Sequence, residues 1–202
     1  MYYLFPKAVK LSICDDIIRS CLRNKLETAN VVDFNKDDDE EFFEAKNSRD
    51  DASVRKTSLY FIHDPKSVAF QVVNHYIQKA NDIFFHYDLE YLQPPQFGVY
   101  KDGGFYDWHQ DTIGAGAKEV RKLSLSLVLS SPDDYEGGKF EFYNGGRQVP
   151  DIGGISGYQV ANDMKAKGSI FVFDSRDWHT VRPVTKGTRY SIVCWGVGPN
   201  FK

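Results

Sequence analysis

Cysteine is scarce in this chain: Cys14, Cys21 and Cys194 are the only three, an odd number with no Cys-x-x-Cys pair. That usage argues against a disulfide framework and against a cysteine-based zinc site, and it favours a reducing, cytoplasmic setting. Long apolar runs are also missing. Nothing approaches the roughly 20 residues of a membrane-spanning helix. The opening MYYLFPKAVKLS lacks the basic start and sustained apolar stretch of a signal peptide. A soluble protein with no membrane partner is expected. Positive charge is not in excess either. The formal net charge is −3, so no overall field draws nucleic acid to the surface. Internal repeats and low-complexity linkers are absent.

What is present is a chain of 202 residues, 42% hydrophobic and 15% aromatic, with 12 Tyr and 15 Phe. That length suits one domain with a sizeable core, and the aromatic content leans towards strands. The single domain expected over 1–202 divides into a helical or mixed part, 1–88, and a strand-rich core, 89–202. In the first part Ser12 is a candidate N-cap, with Asp15 and Asp16 in the first turn and Ile13, Ile17, Ile18, Cys21 and Leu22 at helical spacing. Pro65 suits the start of a second helix, whose apolar stripe is Val68, Val72, Val73, Tyr76, Ile77 and Ala80. The acidic stretch 33–51, with DDDEE at 37–41, reads as a solvated loop. His63, His75 and His86 have no partner at ligand spacing and read as structural or exposed.

From Leu89 the pattern changes to short apolar strands separated by glycine turns, at Gly103-Gly104, Gly137-Gly138 and Gly145-Gly146. The expected class is mainly β with flanking helices, a double-stranded β-helix or jelly roll with the N-terminal helices packed on one sheet.

Within that core, FYDWHQDT contains His109-Gln110-Asp111. Residues two apart on a strand face the same way, so an imidazole and a carboxylate can converge on one point. DSRDWHTVRPV supplies His179 from a later strand. Two histidines and one carboxylate on one face of a metal leave the opposite face open. A His-x-Asp pair occurs by chance, and each residue taken singly is as readily a surface or core group. The pattern gains weight from Arg189, which follows His179 in HTVRPVTKGTRYSIVCW and begins a strand after the Lys186-Gly187 turn. A guanidinium there can pair in bidentate fashion with the far carboxylate of a metal-bound dicarboxylate.

The order H-x-D, a Gly-Gly strand turn, then H-x-V-x-P-V-x-x-G-x-R resembles the iron(II)/2-oxoglutarate oxygenases of the prolyl 4-hydroxylase type, and especially the bacterial PKHD-type hydroxylases. The matching stretches are Tyr100 to Asp111, LSLSLVLSSPDDYEGGKFEFY at 123–143 and GSIFVFDSRDWHTVRPVTKGTRYSIVCW at 168–195. The resemblance covers about the last half of the chain. It implies His109, Asp111 and His179 as iron ligands and Arg189 as the holder of the 2-oxoglutarate C5 carboxylate. Tyr100 matches a tyrosine that contacts the co-substrate, although it is equally a packed aromatic. Ser124, Ser126 and Val128 share one strand face; were that face interior, Ser126 would be placed to donate a hydrogen bond to the co-substrate. Trp195 matches a bulky wall residue or a core residue. Val128 stands where some prolyl hydroxylases have tyrosine, so the second carboxylate contact is expected to differ.

The resemblance also implies iron(II), 2-oxoglutarate and dioxygen as reactants, with ascorbate as a candidate accessory. The implied reaction hydroxylates an unactivated C–H bond and releases succinate and carbon dioxide. The leading substrate is a prolyl residue in a peptide or protein, with a free small molecule as the other choice. Asp111 favours hydroxylation, because the family's halogenating relatives lack that carboxylate. Trp108 and Trp178 should point away from the metal; Arg121, Arg176 and Arg182 are candidates to meet an anionic substrate at the mouth, with exposed, solvating charges the favoured reading for each. Three alternatives remain open: a cupin-type metalloenzyme without 2-oxoglutarate, a non-catalytic jelly-roll binding module, and a zinc hydrolase.

Overall fold

The structure, a computed structural model, describes residues 2–28, 31–32, 48–49, 54–112, 118–143, 158–159 and 162–201. The acidic stretch 33–51 (Ser48–Arg49 aside) and the Gly145-Gly146 turn lie outside these residues.

Strict alternation in the strand Glu119–Val128 and the residue after it organises the whole molecule. Leu123, Leu125, Leu127 and Leu129 project to one face, and Ser124, Ser126 and Val128 to the other. The leucine face meets two helices, α1 (Leu11–Cys21) and α2 (Val68–Ala80). Cys14, Ile17 and Cys21 of α1 and Val73, Ile77 and Ala80 of α2 pack there with Ile170, Val172, Ile192 and Cys194. Burying each large apolar side chain in this layer contributes about 2 kcal/mol. The opposite face looks into the space between two sheets, so the small serines leave room where the leucines fill it.

The larger sheet runs, in spatial order, Tyr2–Phe5, Ile170–Asp174, Glu119–Val128, Arg189–Pro199, Gln96–Tyr100, Ser58–Phe61 and Glu27–Thr28, with Tyr91–Leu92 also paired to Arg189–Pro199. The smaller sheet runs Tyr158–Gln159, Phe140–Phe142, His179–Val181, Phe105–His109 and Arg55–Lys56. All these pairings are antiparallel. This is the expected mainly β, jelly-roll class, with helices on one sheet. Residues before 89 contribute strands to both sheets as well as the helices. A second apolar cluster of Val128, Phe142, Met164, Phe171 and Phe173 fills one side of the space between the sheets.

Local expectations fared less evenly. Ser12 is not an N-cap: α1 begins at Leu11, Lys10 occupies the cap position without a capping side chain, and no acid lies in the first turn. Asp15 and Asp16 instead pair outward with Lys167 and Arg19. Pro65 precedes the second helix, which Ser67 caps by accepting a hydrogen bond from the Phe70 backbone N–H at 3.3 Å. Val68 is 55% exposed, so the buried stripe is Ala69, Val73, Ile77 and Ala80. His86 ends the π-turn that follows α2 in a left-handed conformation, φ +55°, which is a structural role. No helix among the described residues is long and apolar enough to cross a membrane.

The turn at Gly137-Gly138 requires glycine at both positions. A Cβ on Gly137 would lie 2.2 Å from the Pro183 carbonyl oxygen, and one on Gly138 would lie 3.1 Å from Cδ of Arg189. Both have positive φ, +77° and +56°. The close approach lets the strand Tyr135–Gly137 pair with Val184–Gly187 and brings Gly138 against the Arg189 side chain.

Candidate metal centre

Phe105–His109 and His179–Val181 are adjacent in the smaller sheet, with His109 directly opposite His179. The register shifts between His179 and Val181, so Tyr106 as well as His109 turns inward. Asp111 follows the first strand and is held through its backbone: the N–H groups of Asp111 and Thr112 both donate to the Ser175 carbonyl, at 2.9 and 3.0 Å. His179 Nε2 lies 3.4 Å from Asp111 Oδ2, and His109 Nε2 lies 3.5 Å from Oδ1. One donor atom from each residue falls within 4.8 Å of the others, a spacing that could hold a metal ion.

Both imidazoles are oriented the same way. His109 Nδ1 contacts the Asp107 carbonyl at 2.7 Å, and His179 Nδ1 contacts the Asp177 carbonyl at 2.9 Å. A carbonyl can only accept, so Nδ1 carries the proton and Nε2 presents a lone pair towards Asp111. Ring packing fixes the planes. Tyr106 stacks on His109 with centroids 3.5 Å apart, and Phe140 stacks on His179 at 5.3 Å while Phe173 meets it edge-on at 4.8 Å.

Burial alone would raise the Asp111 carboxyl. The two imidazoles and the Arg121 guanidinium outweigh it and hold the group well below the usual carboxylate range. Burial, with His109 beside it, pushes His179 down to about 4. At neutral pH the site therefore offers an ionised carboxylate and a neutral imidazole, the forms that bind a divalent cation.

Arg189 lies elsewhere on the larger sheet's inner face, directly opposite Tyr100. It is 3% exposed. Its guanidinium donates to Ser191 Oγ at 3.1 Å and sits 5.2 Å from the Tyr100 ring centroid. Among the described residues no carboxylate pairs with it. A cavity of about 240 Å³ adjoins it, lined by Arg189, Val128, Tyr135, Phe140 and Phe171 among others. The three metal donors do not line that cavity; Phe140, which does, is the residue that also stacks on His179. Ser126 Oγ and Trp195 Nε1, on the same inner face, are buried without a hydrogen-bond partner. A donor set suited to a divalent metal, a buried cation lacking an anion and two unsatisfied polar atoms fit a metal with an anionic, oxygen-rich co-substrate.

Residues 174–177 tie the site together. Asp174 accepts from the Arg176 backbone N–H and Nε, both at 2.9 Å, from its terminal nitrogen at 2.6 Å and from the Tyr87 hydroxyl at 2.7 Å. The turn so fixed presents the Ser175 carbonyl to Asp111 and the Asp177 carbonyl to His179. Burial raises the Asp174 carboxyl, but Arg176 and Tyr87 reverse this and lower it. A depressed carboxyl stabilises the fold above its ordinary pKa, and that contribution fades as pH falls through the lowered value. Asp174→Asn is expected to destabilise the protein by about 1–3 kcal/mol at neutral pH. In melting curves run side by side, the gap from wild type should narrow as the buffer is acidified.

The three arginines read as solvated charges are all fixed. Arg121 stacks at 3.8 Å over Trp195 and donates to Gln93 Oε1 at 2.8 Å, Arg176 is clamped to Asp174, and Arg182 donates to Glu141 at 2.7 Å. Each has a planar fork that an aromatic or carboxylate neighbour captures, which a sequence does not display. Trp108 points as expected, packing with Tyr143 and under Arg182. Sequence reasoning missed Tyr106 and Arg55, whose guanidinium covers Tyr106 at 4.4 Å. It also missed the carbonyls that orient the histidines. One signal for these was available: both histidines end the same tripeptide, Asp-Trp-His, at 107–109 and 177–179.

The fold is a jelly roll, and its interior carries a two-histidine, one-carboxylate cluster that could hold a metal ion. The model of the 2OG-Fe(II) oxygenase superfamily matches residues 95–196, about half of the chain. The protein belongs to that superfamily, whose metal is iron(II) and whose co-substrate is 2-oxoglutarate. A PKHD-type hydroxylase of Stenotrophomonas maltophilia is 34% identical over 112 residues, 53% of this chain and 44% of that protein. The chain thus spans less than half the length of this curated relative. A Pseudomonas putida prolyl-4-hydroxylase has the same fold, with a TM-score of 0.66 at 18% identity, covering 96% of this chain and 91% of that one. So does a Trichoplax adhaerens prolyl hydroxylase solved with a peptide fragment of hypoxia inducible factor, at 0.67, 15%, 96% and 82%.

Proposed function

We propose that this protein is an iron(II)- and 2-oxoglutarate-dependent hydroxylase acting from one domain, with His109, Asp111 and His179 as iron ligands and Arg189 as the anchor of the co-substrate's distal carboxylate. The observation that carries this reading is a buried guanidinium, without a carboxylate partner among the described residues, on the same interior as the three converging donors. Iron(II), with 2-oxoglutarate and dioxygen, supplies the oxidising power to hydroxylate an unactivated C–H bond, with succinate and carbon dioxide as by-products.

The protein's own contribution is positional. Asp107 and Asp177 carbonyls hold the Nδ1 protons so that both Nε2 lone pairs face the metal position. Tyr106, Phe140 and Phe173 keep the rings from turning and keep water away from them. Arg189 aligns the dicarboxylate by a charge-assisted fork, backed by the Tyr100 ring. Ser126 Oγ and Trp195 Nε1 are free to donate into the same space. Val128 takes no polar part, so Arg189 carries the carboxylate contact without a tyrosine at that position.

The superfamily match includes Arg189, which disfavours a cupin-type enzyme or a binding module that would give this residue no anion to hold. The substrate assigned is a prolyl residue in a peptide or protein, by likeness to the prolyl hydroxylases of the same fold. Ascorbate is assigned as the reductant that keeps iron in its divalent state. The cytoplasm is the assigned location, supported by three free, buried cysteines.

Succinate formation from 2-oxoglutarate under air tests the reading without any choice of prime substrate. Wild type with iron(II) and ascorbate should release succinate, and a chelator or replacement of iron by zinc should stop it. If succinate still appears after the metal is removed, the assignment is wrong.

A further inference from the structure

Arg55 and Arg121 approach the metal end of the site from opposite sheets. Arg55 belongs to the edge strand Arg55–Lys56, directly opposite Tyr106, and is 8% exposed. Its guanidinium lies 4.4 Å over the Tyr106 ring, and its Nε is buried without a partner. Arg121 comes from the larger sheet, stacked 3.8 Å over Trp195. It donates to two neutral acceptors, Gln93 Oε1 at 2.8 Å and the Asp111 carbonyl at 3.4 Å. Both guanidiniums act electrostatically on Tyr106, and Arg55 acts on Arg121. Arg55 Nε and the second terminal nitrogen of Arg121 remain to donate to an oxyanion.

Neither has a carboxylate partner among the described residues that is not already engaged. Asp111 attracts Arg121, but it is committed to the metal. Once iron(II) is held by Asp111 and 2-oxoglutarate by Arg189, the charges of metal, aspartate, co-substrate and that arginine cancel. Among the described residues two positive charges remain, one of them more than nine-tenths buried, and a buried cation needs a counter-charge. 2-Oxoglutarate does not provide it. Its two negative charges are already counted against the metal and Arg189.

We propose that Arg55 and Arg121 form a carboxylate-binding fork beside the metal, so that the molecule hydroxylated here carries a carboxylate close to the reacting C–H bond. This rests on the oxygenase reading above. Two other arginines of the core are already paired, Arg182 with Glu141 and Arg176 with Asp174. The carboxylate has three possible sources: a free or N-acylated amino acid, a peptide C-terminus, or an acidic side chain.

The test uses the full chain loaded with zinc(II), which supports no turnover, and saturated with 2-oxoglutarate. Stabilisation by 2-oxoglutarate is recorded first; its absence sinks the oxygenase reading and is a separate result. Calorimetry then compares matched pairs. Free and N-acetyl amino acids are set against their amides, tripeptides with free C-termini against amidated ones, and amidated Asp or Glu tripeptides against their Asn or Gln counterparts. At least one acid series should bind about tenfold or more tighter than its neutral partner, and the series that does so identifies the source. That preference should shrink to within about twofold in Arg55→Gln and in Arg121→Gln. Arg182→Gln should keep it. If a glutamine variant melts below the working temperature, the corresponding lysine variant is read instead, which should retain part of the preference by keeping the charge without the fork. Failure of every acid to bind, equal binding of acid and amide, or a preference that survives both substitutions would overturn the proposal.

Discussion

His179→Ala is expected to abolish iron-dependent succinate formation. Loss of a residue that merely orients a metal ligand already lowers metal affinity or activity by about 10–100-fold. Removing a ligand should exceed this, because two donors remain where three are needed to hold the metal and leave the opposite face open. The substitution also removes a ring packed between Phe140, Phe173 and His109, so some loss of stability is expected. His179→Gln separates the two effects: it keeps most of the volume and replaces the imidazole by an amide, a poor metal ligand. Both variants should lose turnover, while the glutamine variant should melt nearer to wild type. Iron(II) titration followed by succinate release decides the matter. Turnover by a folded His179→Gln protein at iron concentrations that saturate wild type would remove His179 from the metal site.

The convergence of His109 and Asp111 was legible from their separation of two residues, although strand alternation is not what produces it: the strand ends at His109, and the Ser175 carbonyl holds Asp111 through its backbone. His179 was legible as a third donor because Arg189 follows it at a spacing that a turn at Lys186-Gly187 and a new strand explain. The serine face of Leu123–Leu129 was legible because strand periodicity is rigid. What sequence reasoning missed has one cause, contact between segments far apart in the chain. Arg55 meets Tyr106 only because an edge strand from the first part of the chain joins the smaller sheet. Arg121 was read as solvated because nothing local shows that Trp195 will lie beneath it. The helix start at Leu11 was misplaced through trust in a single capping residue. The structure instead starts α1 where Lys10 leaves an extended conformation, and packing of Cys14, Ile17 and Cys21 on the sheet stabilises the helix without a side-chain cap.

Arg189→Ala should weaken 2-oxoglutarate binding by about a hundredfold, the equivalent of about 2–3 kcal/mol for a charge-assisted interaction, while iron(II) binding stays close to wild type. Two physical arguments separate this from general damage. First, the guanidinium is 3% exposed and its described polar partner is a neutral hydroxyl. In the absence of 2-oxoglutarate it is a buried charge held mainly by Ser191 and the Tyr100 ring, so replacing it should cost little stability and could raise it. The melting temperature without co-substrate should therefore match or exceed that of wild type, and the rise on adding 2-oxoglutarate should be largely lost. Second, the interaction is specific to one end of the ligand. 2-Oxopentanoate has the same chain length and lacks the distal carboxylate, so it should bind wild type and Arg189→Ala with similar, weak affinity. The ratio of affinities for the two acids is the decisive readout. It should be large in wild type and fall towards unity in the variant. A ratio unchanged by the substitution would mean that another group holds the distal carboxylate, with Lys139 and Lys165 at the edge of the same cavity the next to substitute.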